Sequence, residues 1–465
     1  MKRQDGSVLR LHDTASGTVR ELALREPGKV TVYVCGPTVY GPPHLGHGRS
    51  VLVYDILRRY LEWSGLEVLF VSNITDIDDK IIQRAEREGR DPEDIAERCE
   101  AVWWRAVDAL GVRRPDLDPH ATDYVERMVE LVGELLERGA AYVTDDGVYL
   151  SVEAVPDYGL LNRQALEDLR TGGGERELVG AEAKRHPADF ALWKLAKPGE
   201  PSWPSPWGPG RPGWHTECVV MSLDLLGEGF DLHAGGEDLR FPHHENERAQ
   251  AVALDKRFAN HWMHHAFVVD TSGEKMSKSL GNFTNLLDLI ESVDPRAYRL
   301  LLLQAHYRSP VRVDAETIEA AQRSLRGLDA LARRVGDLGV EEAVRDEDVL
   351  QRFAERMDDD LDTPGAMAVV FDAVRRANTA LDAGDEAGGR ALAAAVLAAC
   401  RAVGLELHGG DGDDVPPHVQ AALDQRNRAR ADRDWALADR LRAEIEAAGW
   451  EVEDTPKGSR LRRRS

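Results

Sequence analysis

Two short apolar runs joined by a helical stretch constrain this chain more than any other feature. The first is Val30-Thr31-Val32-Tyr33-Val34, followed by a Gly/Pro-rich turn through Gly36, Pro37, Gly41, Pro42 and Pro43. From Gly48 to Ser64 the apolar residues Val51, Val53, Ile56, Leu57, Tyr60 and Leu61 recur at helical spacing, and Val68-Leu69-Phe70-Val71 reads as a second buried strand. Parallel neighbours need a crossover connection and an intervening helix supplies one, so strand, loop, helix, strand is the βαβ unit of a doubly wound parallel sheet. The expected fold class is therefore α/β and Rossmann-like. Ligands of such sheets collect outside the carboxyl ends of the strands, which makes Cys35 and the loop His44 to His47 candidates by position.

Further on, residues 92 to 139 carry two helical patterns, and Ala141 to Val152 reads as a hairpin turning at Asp145-Asp146-Gly147. Residues 171 to 213 are Gly/Pro-rich and read as a long ordered insertion loop. The sheet resumes with Phe230-Asp231-Leu232-His233 and Ala266-Phe267-Val268-Val269, separated by a helix starting near Pro242. From about residue 315 to 405 strand signals give way to Ala/Leu/Arg/Glu-rich helical periodicity, implying a separate bundle. Gly409-Gly410-Asp411-Gly412-Asp413-Asp414 is a linker by composition. The expected units are 1–125 and 213–270 for the two halves of the sheet domain, 126–212 for a connective insertion, 271–315 for a loop and stem-contact region, 316–408 for the bundle and 416–465 for a small C-terminal module.

At 465 residues with 42% hydrophobic content, a single core cannot absorb the chain. The start, Met1 to Gly6, leads into mixed polar sequence without a signal-peptide core, and no uncharged run is long enough for a bilayer, so a cytoplasmic protein without membrane association is expected. Four cysteines, Cys35, Cys99, Cys218 and Cys400, are too scattered for a disulfide framework and read as reduced thiols. A net charge of −23 excludes non-specific adhesion to a polyanion, so any nucleic-acid contact must be local and basic.

His243 and Glu247 are four apart, so a helix from Pro242 points both to one side. With Cys35 and Cys218 they make a tetrahedral set that zinc accepts. Taken singly, each cysteine is equally at home in a core, and an i,i+4 pair on a solvated helix face. His44-Leu45-Gly46-His47 opens the first helix, where backbone N–H groups, the helix dipole and two imidazoles suit charge building on a phosphate. Lys275-Met276-Ser277-Lys278-Ser279 follows a strand and a Thr271-Ser272-Gly273 turn, offering two ammonium groups to a triphosphate.

A His-x-Gly-His helix start and a Lys-Met-Ser-Lys-Ser loop at the ends of two strands of one sheet resemble the signature pair of the class I aminoacyl-tRNA synthetases, with Leu45 where isoleucine is commoner. Tyr33 to Tyr40, Asn73 to Lys80, Gly213 to Cys218 and Phe241 to Glu247 are similar to blocks of the cysteinyl-tRNA synthetases, and the likeness spans nearly the whole chain. It implies one zinc on Cys35, Cys218, His243 and Glu247, with ATP and Mg2+, L-cysteine and tRNA(Cys) as substrates and a monomer as the working form. It implies catalytic roles for His44, His47, Lys275 and Lys278, with Thr75 and Trp214 beside the amino acid and His233, Gly235, Gly236 and Asp238 near adenine and ribose.

Two places depart from the family pattern: Ala234 stands where glycine is usual, and His265-Ala266 replaces a common Asn-Gly pair. The tail supplies Arg426, Arg428, Arg430, Arg433, Arg440 and Arg442, then Lys457, Arg460, Arg462, Arg463 and Arg464, the local basic field that the net charge lacks. There Trp435, Arg430 and Asp439 are the expected anticodon contacts, an unpaired base stacking on the indole. The competing readings are a ligase of the same lineage passing cysteine to an amino sugar and a non-catalytic zinc- and RNA-binding paralogue.

Overall fold

The computed structural model describes residues 9–164, 184–269, 285–338, 340, 344–408, 417–431, 434–455 and 458–463. A hairpin of β1 (Arg10–Asp13) and β2 (Thr18–Glu21) precedes β3 (Lys29–Val34), α1 (Leu45–Trp63) and β4 (Glu67–Ser72). Helices α2 (Asp79–Glu88), α3 (Pro92–Ala109) and α4 (Val125–Glu137) lead to β5 (Ala141–Val143), β6 (Gly147–Leu150), β7 (Phe190–Leu195) and β8 (Gly210–Pro212). Then come α5 (Trp214–Leu226), β9 (Leu232–Gly236), the single turn α6 (Glu237–Leu239), α7 (Glu245–Ala253) and β10 (Trp262–His265).

The central sheet has the order β10-β9-β3-β4, and every pairing in it is parallel. β3 is buried from Val30 to Val34 except at Thr31, as a strand covered on both faces must be. From β3 the chain crosses through α1 to β4 on one side, whereas β9 joins the other side from far downstream. That reversal opens a crevice at the carboxyl ends of β3 and β9. The loops there pass very close: a Cβ on Gly36 would lie 1.6 Å from the Asn73 carbonyl oxygen, so only glycine fits.

Three expectations need correction. The strand beside β9 is β10 and not Ala266 to Val269, of which Val268 and Val269 pair with Val311 and Arg312 in a small sheet of their own. The described part of the Gly/Pro-rich stretch is not a loop, because β7 and β8 complete an antiparallel sheet of order β5-β6-β7-β8. Its Gly and Pro residues lie mostly in the turns around two short strands, where they masked the apolar core of Phe190, Leu192 and Trp193. The helix expected from Pro242 begins at Glu245, after an irregular turn over Arg240–His244 in which Phe241 is extended at φ −142 and ψ 132. A residue before proline is pushed out of the α region.

The second half of the chain continues through β11 (Val268–Val269), α8 (Leu286–Ser292), α9 (Pro295–Leu303) and β12 (Val311–Arg312) to the helices α10 (Ala315–Val335), α11 (Glu347–Asp358), α12 (Thr363–Asp382) and α13 (Glu386–Ala402). Each of these last four starts at an aspartate, Asp314, Asp346, Asp362 and Asp385, whose carboxylate accepts a backbone N–H three residues on. One apolar core joins Val30 and Val32 of β3 and Leu57 of α1 to Phe353, Val370 and Val396 of these helices. The tail, α14 (Pro417–Ala431), α15 (Trp435–Ala447), β13 (Trp450–Thr455) and β14 (Gly458–Arg463), has a small core of its own, built on Leu423, Leu441, Ile445, Val452 and Leu461. Among the described residues no helix is long and apolar enough to cross a membrane.

Candidate active site

A cleft of about 300 Å³ opens at the switch point, lined by Cys35, His44, His47, Trp214, Gly236 and Asp238 among the expected residues. His44 caps α1 in an unusual reciprocal way: its Nδ1 accepts from the His47 backbone N–H at 3.3 Å, while His47 Nδ1 accepts from the His44 N–H at 3.1 Å. The rings stack at 3.7 Å, so both imidazoles and the start of α1 face the cleft as one unit. Lys275 and Lys278 lie outside the described residues.

Cys35, Cys218, His243 and Glu247 come from the end of β3, from α5, from the turn before α7 and from α7 itself, and their ligand atoms all lie within 4.8 Å of one another. All four side chains are buried. The sulfurs are 3.7 Å apart, and Glu247 Oε1 sits 3.4 Å from Cys35 and 2.9 Å from His243 Nε2. His243 is further fixed by His215, whose Nδ1 is 2.9 Å from its own Nδ1, and by the Trp214 indole stacked on it at 3.9 Å. Two thiols, an imidazole and a carboxylate converging in a buried site suit a soft divalent cation, and the groups outside the four orient their rings and carboxylates.

The electrostatics agree with a cation site. Burial opposes a Cys218 thiolate, but hydrogen bonds from Cys35 and His243 bring its pKa down to about 6. Burial also disfavours the His243 imidazolium, yet the Glu247 carboxylate and Cys218 outweigh it and raise that ring to about 9. Burial works against ionised Glu247 as well, and His233 and His243 nevertheless hold its carboxyl well below the usual range. Cys35 goes the other way, pushed far up by burial and by the charges of Cys218 and Glu247.

His233 is not among the residues that line the cleft. It was expected beside the nucleotide, but its ring is wholly buried and its Nε2 lies 2.6 Å from Glu247 Oε2. With Cys35, His244 and Glu247 it forms a second, overlapping ligand set. Gly235 gives its carbonyl to the Tyr54 hydroxyl at 2.6 Å, and Thr75 is buried with its hydroxyl donating to Glu217 at 3.0 Å. Glu217, buried beside Cys218 and Asp78, is held well above the usual carboxyl range.

Sequence reasoning missed a chain of groups beneath the site. Thr14 Oγ1 lies 2.7 Å from His264 Nδ1, His264 Nε2 lies 2.8 Å from His244 Nδ1, and His244 Nε2 lies 3.3 Å from the Cys35 sulfur. Burial and the neighbouring His233 keep both of these histidines well below their usual pKa. The only available signal was the two dipeptides His243-His244, in the turn before α7, and His264-His265, at the end of the edge strand β10.

In the tail, Trp435 is 58% exposed, so its indole does not pack inward, and Asp439 is exposed one turn further along α15. Arg426 corrects the basic field: it is buried at 3% exposure and reaches Ser459 Oγ at 3.2 Å.

Residues 21–323 match the family model for the class I (C) tRNA synthetase catalytic domain, residues 352–408 the DALR domain and residues 412–462 the cysteinyl-tRNA ligase anticodon binding domain. A curated cysteine–tRNA ligase of Halorhodospira halophila is 44% identical, covering 98% of this chain and 100% of its own. The chain belongs to the cysteine–tRNA ligase family. Another member, from Carboxydothermus hydrogenoformans, is 41% identical over 98% of this chain and 100% of its own. Among solved structures, Mycobacterium tuberculosis methionyl-tRNA synthetase in complex with methionyl-adenylate superposes with a TM-score of 0.61 at 17% identity, covering 81% of this chain and 89% of that one, a likeness of fold. This chain thus carries its buried ligand cluster by the carboxyl end of β3 and its paired histidines at the start of α1, and Cys35, His44 and His47 line one cleft.

Proposed function

We propose that this chain joins L-cysteine to tRNA(Cys) in two steps within the cleft. In the first, a carboxylate oxygen of cysteine attacks the α-phosphorus of ATP, the bond to the β-phosphate oxygen breaks, and cysteinyl-adenylate and pyrophosphate result. In the second, a terminal ribose hydroxyl of the tRNA attacks the carbonyl carbon, AMP leaves and the cysteinyl ester remains.

Cys35, Cys218, His243 and Glu247 would hold one Zn2+, which supplies a soft Lewis acid that takes the thiolate of cysteine and discriminates against the hydroxyl of serine. The indole of Trp214 on His243 walls the amino-acid side, and Thr75 with its Glu217 partner fixes the floor behind it. The N-terminus of α1 with His44 and His47 stabilises charge developing on the α-phosphate. Lys275 and Lys278 grip the triphosphate, which Mg2+ accompanies. Gly235, Gly236 and Asp238 border the nucleoside. The tail reads the anticodon through Trp435, Arg430 and Asp439, and the chain works as a cytoplasmic monomer.

The observation that carries this reading is the convergence of four ligands, from distant points of the chain, at the edge of the cleft that holds His44 and His47. Cys218→Ala should lose bound zinc and cysteine-dependent exchange of pyrophosphate into ATP together, the latter by about a hundredfold or more. Full exchange in a metal-free variant overturns the reading. The anticodon-domain match over residues 412–462 supports tRNA rather than an amino sugar as acceptor, and a charging assay offering both decides between them.

A further inference from the structure

His265 ends β10, where its register partner across the sheet is Gly236 of β9. Its ring is buried at 5% exposure and still lines the cleft. Nδ1 lies 2.9 Å from the Ala266 carbonyl oxygen, an atom that can only accept, so the ring proton belongs on Nδ1. Burial pushes this imidazole down to about 4, which leaves Nε2 a bare lone pair at neutral pH. Among the described residues Nε2 meets no hydrogen-bond partner. The neighbouring Tyr54 hydroxyl cannot serve, because it already donates to the Gly235 and Met263 carbonyls. A Cβ on Gly236 would come to 3.6 Å from Nε2 and 2.4 Å from Asp238 Oδ1, so glycine there adds no side chain against the lone pair. A buried acceptor without a partner, on a residue that lines the cleft, is a place for a ligand's donor.

We infer that His265 is a nucleotide-recognition residue, its Nε2 accepting a hydrogen bond from an N–H or O–H of the nucleoside part of ATP. The inference rests on the adenylate chemistry proposed above. The ionised triphosphate offers no donor, which leaves the adenine amino group or a ribose hydroxyl. The departure of His265-Ala266 from the common family pair thereby acquires a function, a side-chain acceptor at the nucleoside.

Equilibrium dissociation constants tell these sources apart. The full-length protein is titrated with ATP, with purine riboside triphosphate, which lacks the amino group, and with 2′-deoxy- and 3′-deoxy-ATP. The wild-type chain should bind one of these analogues about tenfold more weakly than ATP, the usual worth of one hydrogen bond at a partly desolvated site. His265→Phe should lose about tenfold for ATP and cease to distinguish ATP from that same analogue, and His265→Gln, which returns an acceptor, should restore part of the difference. Equal wild-type binding of all four nucleotides overturns the inference without any variant having to fold. So does His265→Phe that keeps the wild-type discrimination, or that weakens cysteine binding alone. A wild-type protein that binds no ATP fails the functional reading instead.

Discussion

Arg49 carries a guanidinium into the interior two residues after His47, and it bonds the carbonyls of Phe267 at 2.6 Å, Tyr307 at 2.9 Å and Ser309 at 2.6 Å. Burial lowers its pKa to about 10, still far above neutrality, so the charge is retained and shared among carbonyl dipoles. One side chain therefore draws the start of α1, the strand end at the cleft and the segment before β12 to a single point. Arg49→Met keeps much of the volume but removes three hydrogen bonds from a buried cation, and should cost about 3 kcal/mol in urea unfolding. A loss under about 1 kcal/mol would mean that water replaces the guanidinium. Nothing in the sequence around Arg49 announces this role, since an arginine on an amphipathic helix is ordinarily solvated. The same limit applies at the metal cluster. Spacing linked His243 to Glu247, ligand chemistry offered Cys35 and Cys218 as their partners, and the family resemblance made the four one expected site. The contacts of His215 with His243, of His264 with His244 and of His244 with Cys35 arise only through tertiary packing, and no local pattern encodes such a meeting.

α2 shows what an element can do that its sequence block conceals. Asp79, its first residue, lies in the stretch Asn73 to Lys80 that resembles the family, yet its carboxylate reaches away from the cleft to Lys194 on β7 at 2.6 Å and to Arg211 on β8. Burial works against its ionisation, but the two cations bring its pKa down to about 2. A carboxyl depressed in the folded state contributes stability above its unfolded value, about 4, and loses it as pH falls toward 2. Because the Asp79 side chain is 45% exposed, solvent screening limits the pair to about 1 kcal/mol or less. The urea midpoint of Asp79→Asn should fall below that of wild type at pH 6, and the gap should narrow by pH 3. A gap that is the same at both pH values would show that the charge is not the agent. This clamp could not be foreseen while residues 171 to 213 read as loop. β7 is six residues with adjacent Leu192 and Trp193 buried together, so it lacks the clean alternation that betrays a strand, whereas β3 and β4 declared themselves through short continuous runs of β-branched, aromatic and aliphatic residues.

On the scale of the molecule, the bundle expected as a separate unit shares its core with the parallel sheet. Val30 and Val32 lie in one apolar cluster with Phe353, Val370 and Val396, and polar ties cross the same boundary. The Tyr60 hydroxyl on α1 donates to Asp358 at 2.7 Å, Arg299 on α9 pairs with Asp55 at 2.6 Å and donates to the Val403 carbonyl at 3.2 Å, and Asp360 accepts from the His12 backbone at 2.7 Å and from the Tyr307 hydroxyl at 2.6 Å. Helical periodicity could identify the helices but not what their apolar faces cover, which is why unity of the core was illegible in the sequence. Cutting through such a core exposes both halves, whereas the tail is held by a cluster of its own around Leu441 and Ile445. A chain ending at residue 408 should therefore melt in one cooperative calorimetric transition and keep cysteine-dependent pyrophosphate exchange. Its charging of tRNA should fall by about tenfold to a hundredfold, the worth of one or two stacked bases. A chain ending at residue 314 removes Phe353, Val370 and Val396 from contact with the sheet and should lack a cooperative transition altogether. Two resolved transitions in the 1–408 chain, or a folded and exchanging 1–314 chain, would show that the bundle is a detachable unit after all.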